Sequence, residues 1–106
     1  MLTAITEYAK LVDAFSKIEG VSASQMFGKA CLKINGKAFV AQHKNAVVFK
    51  LTSPQHEKAL SLQGACLWDP SGKGRPMKEW VAIPAEQNKT FKVFANAALK
   101  YVAPAA

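Results

Sequence analysis

The sequence predicts an α+β domain of two layers, in which an antiparallel sheet carries the N-terminal and C-terminal helices on one face. Apolar residues recur at helical spacing at both ends of the 106-residue chain. The segment between them alternates apolar and polar residues and is divided by turn signals. Both end helices are amphipathic, so each needs an apolar partner, which one sheet face can supply. The other face is therefore expected to stay partly uncovered.

The first element is predicted to be a helix over residues 3–19. Thr3 is a suitable N-cap, and Gly20 is suited to end the helix in a left-handed conformation. Apolar residues at helical spacing are expected to form its buried face: Ile5, Tyr8, Leu11, Val12, Phe15 and Ile18. Charged residues are expected on its outer face: Glu7, Lys10, Asp13 and Lys17.

Strand character follows over residues 21–51, with strands predicted over 21–26, on both sides of Asn35-Gly36 and over 46–51. Asn35-Gly36 favours a two-residue type I′ turn because both residues tolerate positive φ. Such a turn fixes the hairpin register. The predicted pairs on the core side are Ile34–Lys37, Leu32–Phe39 and Ala30–Ala41, and those on the other side are Lys33–Ala38, Cys31–Val40 and Lys29–Gln42.

The second half of the chain is predicted as helix, hairpin and helix. Ser53-Pro54 favours the start of a short helix over 54–62, with the serine as N-cap. Asp-Pro and Ser-Gly steps favour a hairpin turn within residues 64–84, GACLWDPSGKGRPMKEWVAIP. Residues 85–102 return to helical spacing, with an apolar stripe at Phe91, Phe94, Ala95, Ala98, Tyr101 and Val102. Residues 103–106 are expected to be a frayed tail, and one domain over 1–106 is the simplest organisation.

The formal net charge of +7 comes from 14 Lys/Arg and 7 Asp/Glu. No acidic residue lies between Glu19 and Glu57, although five lysines do: Lys29, Lys33, Lys37, Lys44 and Lys50. The positive field is therefore expected on the strands rather than on the helices. Two interpretations remain open, a polyanionic partner and a merely solvated basic surface.

A cytoplasmic protein without a metal, cofactor or membrane contact is expected. Cys31 and Cys66 follow no metal-ligand spacing and suit reduced thiols. The N-terminus lacks a basic start followed by an apolar run, so no secretory signal is predicted. No apolar stretch approaches the roughly 18 residues expected of a spanning helix.

No catalytic residue is predicted. His43 falls in a predicted turn and His56 in the short helix, and surface positions explain both more simply than a role as base or ligand. Asp69 and Glu79 flank the hairpin loop and are interpreted as a turn residue and a charge partner across the hairpin. An acid/base pair is the alternative interpretation of these carboxylates.

The loop Gly72-Lys73-Gly74-Arg75-Pro76 is a candidate binding segment. Glycines allow close backbone approach and exposed N–H groups, and the cations suit a phosphate or carboxylate. The loop is not a Walker-type phosphate loop, because the GxxxxGK[ST] pattern is absent. A basic loop without a ligand is the alternative.

Trp68 and Trp80 have two possible positions. Burial in the core is the ordinary one for large aromatics. However, if Val81 and Ile83 face the helices, Trp80 lies on the uncovered sheet face, near Val40, Val48 and Cys31. That face would then be an apolar patch with a lysine rim, which is typical of a partner or self-association surface.

Several motifs in this order resemble one known family. They are Met26-Phe27-Gly28, Leu32-Lys33, Asn35-Gly36-Lys37, Phe39, the strand 48–51, Gly64-Ala65, Asp69-Pro70, the segment 72–81 and Pro84. Over residues 20–102 the chain is similar to the N-terminal domain of the TfoX/Sxy competence regulators, and in its later part to the small stand-alone members. The resemblance implies helices on one side of an antiparallel sheet and a link to bacterial transcriptional regulation. It implies no catalytic residues.

Three functional hypotheses follow. The first is a non-catalytic interaction or regulatory module that binds a protein partner, or a second copy, through the uncovered sheet face and the basic hairpin. The second is nucleic-acid binding through the lysine-rich sheet and the loop 72–76. The third is a small-anion site or enzyme at Lys73, Arg75 and Lys78. The candidate binding residues are Lys33, Lys50, Trp68, Lys73, Arg75, Lys78 and Trp80.

Overall fold

The computed structural model describes residues 3–105 and confirms the α+β class. The helices are α1 (Ala4–Phe15), α2 (Gln55–Leu60) and α3 (Phe91–Val102). The strands are β1 (Val21–Met26), β2 (Lys29–Ile34), β3 (Lys37–His43), β4 (Ala46–Lys50), β5 (Cys66–Trp68) and β6 (Met77–Pro84). They form one antiparallel sheet in the order β1-β2-β3-β4-β6-β5. Helices α1 and α3 pack on β3 and β4, at the centre of that sheet.

Helix α1 begins where predicted but ends four residues early. The Thr3 hydroxyl accepts a hydrogen bond from the Thr6 N–H at 3.2 Å, so Thr3 is the N-cap. The helix stops at Phe15, and tight turns lead to Gly20, whose φ is +89°. The expected burial of Ile5 and Ile18 is wrong, since their exposed fractions are 69% and 38%. Ile18 lies past the helix end, and the buried stripe centres instead on Ala4, Tyr8, Leu11 and Phe15.

Glu7 is buried, contrary to the expectation of an outer position. Its Oε1 accepts a hydrogen bond from Asn88 Nδ2 at 3.2 Å, and its Oε2 lies 3.1 Å from Lys10 Nζ. Burial opposes ionisation, but the hydrogen bonds from Asn88 and Lys10 and the charge of Lys10 lower the pKa of this carboxyl below its usual value. Glu7 therefore ties α1 to the segment just before α3.

The end of the chain is helical in two parts. Ala85–Thr90 forms a 3₁₀ segment, and α3 follows from Phe91. The predicted apolar stripe of α3 is confirmed, because all of its members are buried except the half-buried Tyr101. Ala103–Ala105 is a further 3₁₀ turn rather than a frayed tail, and residue 106 lies outside the described part of the chain.

The Asn35-Gly36 turn forms as predicted, with φ of 48° and 86°. The pairs next to it, Ile34–Lys37 and Lys33–Ala38, are also confirmed. Beyond Lys33 the register shifts by one residue, so the predicted pairs farther from the turn are wrong. Leu32 pairs with Val40, and Cys31 pairs with Ala41.

A β-bulge at Phe39 causes this shift. Phe39 and Val40 together oppose Leu32, and both belong to the core beneath the helices. A bulge lets two successive residues face the same side of a strand, and here it buries both apolar side chains. The expectation that Val40 lies on the other face is therefore wrong, and Ala41 takes that place.

Helix α2 also differs from its prediction in detail. It begins at Gln55, and Pro54 rather than Ser53 occupies the cap position, without a side-chain hydrogen bond to the backbone. The Ser53 hydroxyl donates instead to the Glu57 carboxylate at 2.7 Å. The helix packs beside β6 and α3, so it lies at one border of the helix layer.

The sheet carries a buried cluster on each face. The helix-side core includes Phe39, Phe49, Val81 and Ile83. On the other face lies a second cluster, called here the tryptophan cluster: Cys31, Ala41, Val48, Trp68, Trp80 and Ala82. The prediction that Val81 and Ile83 face the helices, with Trp80 opposite, is confirmed. The sheet face that carries this cluster is called here the tryptophan side.

Candidate functional site

Among residues 3–105 no helix contributes to the tryptophan cluster, yet the apolar centre of this sheet face is closed to solvent. Trp68 and Trp80 are only 2% and 4% exposed, and their ring centroids lie 5.4 Å apart. The other members of the cluster are small, so two indole rings suffice to cover them. The expected exposed apolar patch at Trp80 is therefore wrong. Both tryptophans are core residues of the sheet.

Phe27 forms an exposed border to this cluster. It occupies the first position of the β1–β2 turn with φ of 55°, and Gly28 follows with φ of 73°. This region suits Asn or Gly, so a phenylalanine there is uncommon. Its ring is 62% exposed and its centroid lies 6.3 Å from that of Trp68. The Met-Phe-Gly motif thus places an aromatic ring beside Trp68, which sequence reasoning did not identify.

His43 fixes the orientation of Trp68. The indole N–H of Trp68 donates to Nδ1 of His43 at 2.8 Å. An accepting Nδ1 carries no proton, so the imidazole is neutral with its proton on Nε2. Burial, reinforced by the positive charges of Lys29 and Lys44, lowers the pKa of His43 below 6.5. His43 is the last residue of β3 rather than part of a turn, and it is half-buried.

The basic loop is organised around Asp69. Its carboxylate accepts hydrogen bonds from the backbone N–H groups of Gly72, Gly74 and Arg75 at 2.8 to 3.2 Å. The Ser71 hydroxyl donates to the same carboxylate at 2.8 Å. Asp69 is therefore the turn residue that the sequence predicted.

This arrangement removes the basis of the predicted anion site. The N–H groups that a phosphate would use already bind the loop's own carboxylate. The hydrogen bond from Ser71, together with those from the three N–H groups, lowers the pKa of Asp69, so the carboxylate stays ionised. Lys73 and Arg75 are exposed. What remains of the predicted site is two cationic side chains on an ordered loop.

The lysines of the tryptophan side form a border around the cluster. In the sheet register Lys29 faces Met26, Lys33 faces Ala38 and Lys50 faces Trp80. Paired residues share a face, and these three partners belong to the tryptophan cluster or pack against it. Lys29 and Lys33 are half-buried, which suits alkyl stems lying along the sheet with their ammonium groups in water. The ammonium group of the half-buried Lys50 lies instead 3.8 Å from the Glu79 carboxylate. Lys78 is exposed two residues before Trp80.

The net charge is concentrated on the strands and their connections. Residues 21–50 and 66–84 contain eight Lys/Arg and two carboxylates, a net of six of the seven positive charges. The remainder of the chain contains six lysines and five carboxylates. Of the two strand-region carboxylates, Asp69 is engaged by its own loop, and Glu79 lies 3.8 Å from Lys50 Nζ. The predicted concentration of positive charge on the sheet is confirmed.

The predicted binding residues are not all brought together. Lys33, Lys50 and Lys78 share the tryptophan side, whereas Lys73 and Arg75 lie on the loop at one end of it. Trp68 and Trp80 lie beneath that surface and are not part of it. The available contact surface is therefore cationic, with Phe27 as its exposed aromatic residue.

Glu79 is a charge partner, but of a residue on β4 rather than of one across the 64–84 hairpin. Its carboxylate is the charge partner of Lys50, which lies on the strand next to β6. It also accepts a hydrogen bond from the Tyr101 hydroxyl, and this bond is the leading cause of a raised pKa for Tyr101. Glu79 therefore joins β6 to α3, and its contacts are structural.

His56 is held in place by a hydrogen bond between its Nε2 and the Lys78 carbonyl oxygen at 2.7 Å. Within residues 3–105, no group of three or more His, Cys, Asp or Glu side chains could hold a metal ion. Cys31 is buried and Cys66 is exposed, and both are free thiols.

A groove of about 920 Å³ lies between α2 and α3. It is lined by Thr52, Gln55, Val93, Asn96, Ala97, Lys100, Tyr101 and Pro104. None of these described lining residues is a carboxylate or a histidine. It lies on the helix side, away from the concentrated positive charge.

No described helix is both long and apolar enough to cross a membrane. Comparison of the chain with models of protein families, with curated proteins and with solved structures finds no match.

Proposed function

We propose that this protein is a non-catalytic interaction module that binds an anionic macromolecular partner through the tryptophan side of its sheet. The observation that carries the proposal is the charge distribution: six of the seven net positive charges lie on the strands and their connections. A cationic surface backed by a rigid sheet attracts polyanions over a distance of about a Debye length.

The closed tryptophan cluster changes the expected mode of binding. An apolar contact through Trp80 would need an exposed indole, and that indole is 4% exposed. The side chains available for contact are Lys29, Lys33 and Lys78, with Phe27 beside them, whereas Lys50 is paired with Glu79. Recognition is therefore electrostatic and depends on salt. The resemblance to the TfoX/Sxy regulators adds a transcription-linked role in the cytoplasm to this proposal.

Nucleic acid is a second candidate partner, favoured by the same charge and by the exposed Phe27 ring, on which an unpaired base could stack. Affinity would then fall steeply with salt as counterions are released. An acidic protein segment would show a weaker salt dependence, because it condenses fewer counterions.

The test is a titration of the purified protein with two labelled probes, a mixed-sequence single-stranded oligonucleotide and polyglutamate, at low and high salt. Binding of either probe at low salt, weakened at high salt, is the expected result. The slope of affinity against salt distinguishes the two kinds of partner. Absence of binding to both probes at low salt would refute the proposed function.

A further inference from the structure

Strand β1 is an open edge of the sheet, whereas the edge at β5 is protected. Strand β5 has only three residues, a register shift follows Leu67, and the ordered loop 69–76 continues from it. Strand β1 has six residues, VSASQM, with no charge and no proline. Natural proteins protect long edge strands with charges, prolines, bulges or a covering element. Among the described residues, β1 has none of these features.

The backbone of β1 has hydrogen-bonding groups that point away from the sheet. The two-residue turn is closed by the pair Met26–Lys29, so alternate residues of β1 bond to β2. The bond from the Asn35 N–H to the Gly20 carbonyl oxygen, at 2.9 Å, continues this alternate series. Ala23 and Gln25 therefore direct their N–H and C=O groups outwards. Within residues 3–105, no other element bonds to these outward groups.

Both faces of β1 are also open. Residues 22–25 are exposed, and α1 and α3 pack on β3 and β4 instead. The outward row of β1 can thus accept another strand without any rearrangement of the fold. Adding an extended peptide to such an edge gives main-chain hydrogen bonds, and neighbouring side chains give specificity.

The neighbouring charges indicate which peptide fits. Lys33 lies opposite Ser22, and Lys29 lies opposite Met26, all on the tryptophan side. Neighbouring strands are about 4.8 Å apart, so a lysine on β2 can extend past the small Ser22 towards a guest strand. A second copy of the chain paired at β1 would instead bring its own lysines close to Lys29 and Lys33, and these like charges would repel. Charge therefore favours an acidic guest over self-pairing.

We propose that β1 accepts an extended acidic peptide as a seventh strand, with carboxylates four residues apart facing Lys29 and Lys33. The spacing follows from the register, because Ser22 and Met26 are four positions apart and share a face. This inference rests on the proposed function, since it names how the anionic partner docks.

The probe is a labelled nine-residue peptide of alternating threonine and valine with two glutamates four positions apart, titrated into the full chain by fluorescence anisotropy. One control peptide carries glutamines at these two positions. The other carries glutamates three positions apart, so one of its carboxylates lies on the opposite face of the strand. Only the first peptide is expected to bind well. Equal affinity for the glutamine peptide would overturn the proposal.

Protein variants test the docking edge. Ala23→Pro removes an outward N–H while leaving the ladder to β2 intact, and it should weaken binding about tenfold. Lys33→Gln should weaken binding about two- to fivefold, whereas the matched Lys92→Gln on α3 should not change it. Unchanged binding by Ala23→Pro would contradict docking at β1. If that variant does not fold, the same test can be made on the unmodified protein with a probe peptide whose alternate backbone nitrogens are methylated. Methylation of the nitrogens that face β1 should weaken binding.

The outcomes separate this inference from the proposed function. If polyglutamate or the oligonucleotide binds and the nine-residue peptide does not, the edge proposal is wrong and the cationic module stands. If none of the probes binds, both are wrong. A dimer in light scattering that Ala23→Pro dissociates would assign the edge to a second copy and overturn the acidic peptide.

Discussion

Trp68 donates its indole N–H to Nδ1 of His43 across the tryptophan side of the sheet, at 2.8 Å. Trp68 lies on β5 and His43 at the end of β3, and β6 and β4 separate these strands in the sheet. The bond therefore joins the edge hairpin to the centre of the sheet. It also requires a neutral imidazole.

Stability should depend on pH through His43. The folded protein holds the pKa of His43 below 6.5, so the unfolded chain binds more protons than the folded one as pH falls. The contribution of neutral His43 to the free energy of unfolding is present in full above about pH 6.5. It is lost as the pH falls through the pKa of His43 in the folded state. Urea unfolding at pH 7.5 and pH 5, followed by tryptophan fluorescence, measures the effect.

His43→Gln is the matched control for this dependence, because it keeps an acceptor near Trp68 and removes the titration. Its stability should change less between the two pH values than that of the unmodified protein. An equal change in both proteins would show that His43 does not titrate with folding.

Trp80→Ala should destabilise the protein by about 3–5 kcal/mol, because it empties a buried site beside Trp68. Chemical denaturation of the variant measures the loss. A loss below about 1 kcal/mol would mean that the indole is not buried. The size of the expected loss also makes Trp80→Ala a poor probe of partner binding, since unfolding alone would abolish it.

Asn45 links the β3–β4 turn to the starts of two helical segments. Its Oδ1 accepts from the Ala4 N–H at 3.0 Å, and its carbonyl oxygen accepts from the Ala85 N–H at 3.1 Å. Asn45→Ala removes the first bond and should cost about 1 kcal/mol, the usual value for a lost helix cap. Asn96→Ala, on the exposed side of α3, should be nearly neutral. Equal urea midpoints for the two variants would contradict this role of Asn45.

Asp69→Ala should release the loop 69–76 without unfolding the sheet. The N–H groups of Gly72, Gly74 and Arg75 would lose their shared acceptor, so their hydrogen exchange should accelerate. Amides of β4 provide the internal reference and should exchange as before. Unchanged exchange at all three positions would show that Asp69 does not order the loop.

The sequence predicts those parts of the fold that depend on local pattern. The stripe of α3 follows from helical spacing, and the Asn35-Gly36 turn follows from the φ preferences of two residues. The role of Asp69 as a turn residue is likewise local, because its partners lie within six positions. The concentration of lysines between Glu19 and Glu57 survives folding because all five lie on β2, β3 and β4 or in the turn between β3 and β4.

The site differs from its prediction where distant segments meet. The bulge at Phe39 depends on the space beneath α1 and α3, and alternation alone does not contain that information. Trp80 is buried because Trp68 covers it from a different strand. The hydrogen bond from Trp68 to His43 could not be predicted from local pattern because the two residues are 25 positions apart. Each difference is a contact between residues far apart in the chain.

Exchanging charge on one side of the sheet at a time tests whether the tryptophan side binds an anionic partner. One variant carries Lys33→Glu and Lys78→Glu on the tryptophan side. Its matched control carries Lys89→Glu and Lys92→Glu next to and within α3, with the same net charge. The measurement is the affinity of both proteins for the polyanion probe that binds the unmodified chain at low salt.

The tryptophan-side variant should bind the probe about tenfold or more weakly, since it loses cationic contacts and gains repulsion. The helix-side control should stay close to the unmodified protein, because the field of its exchanged charges is screened before it reaches the opposite face. Equal losses in the two variants would show that only the net charge matters, and would contradict a binding surface on the tryptophan side.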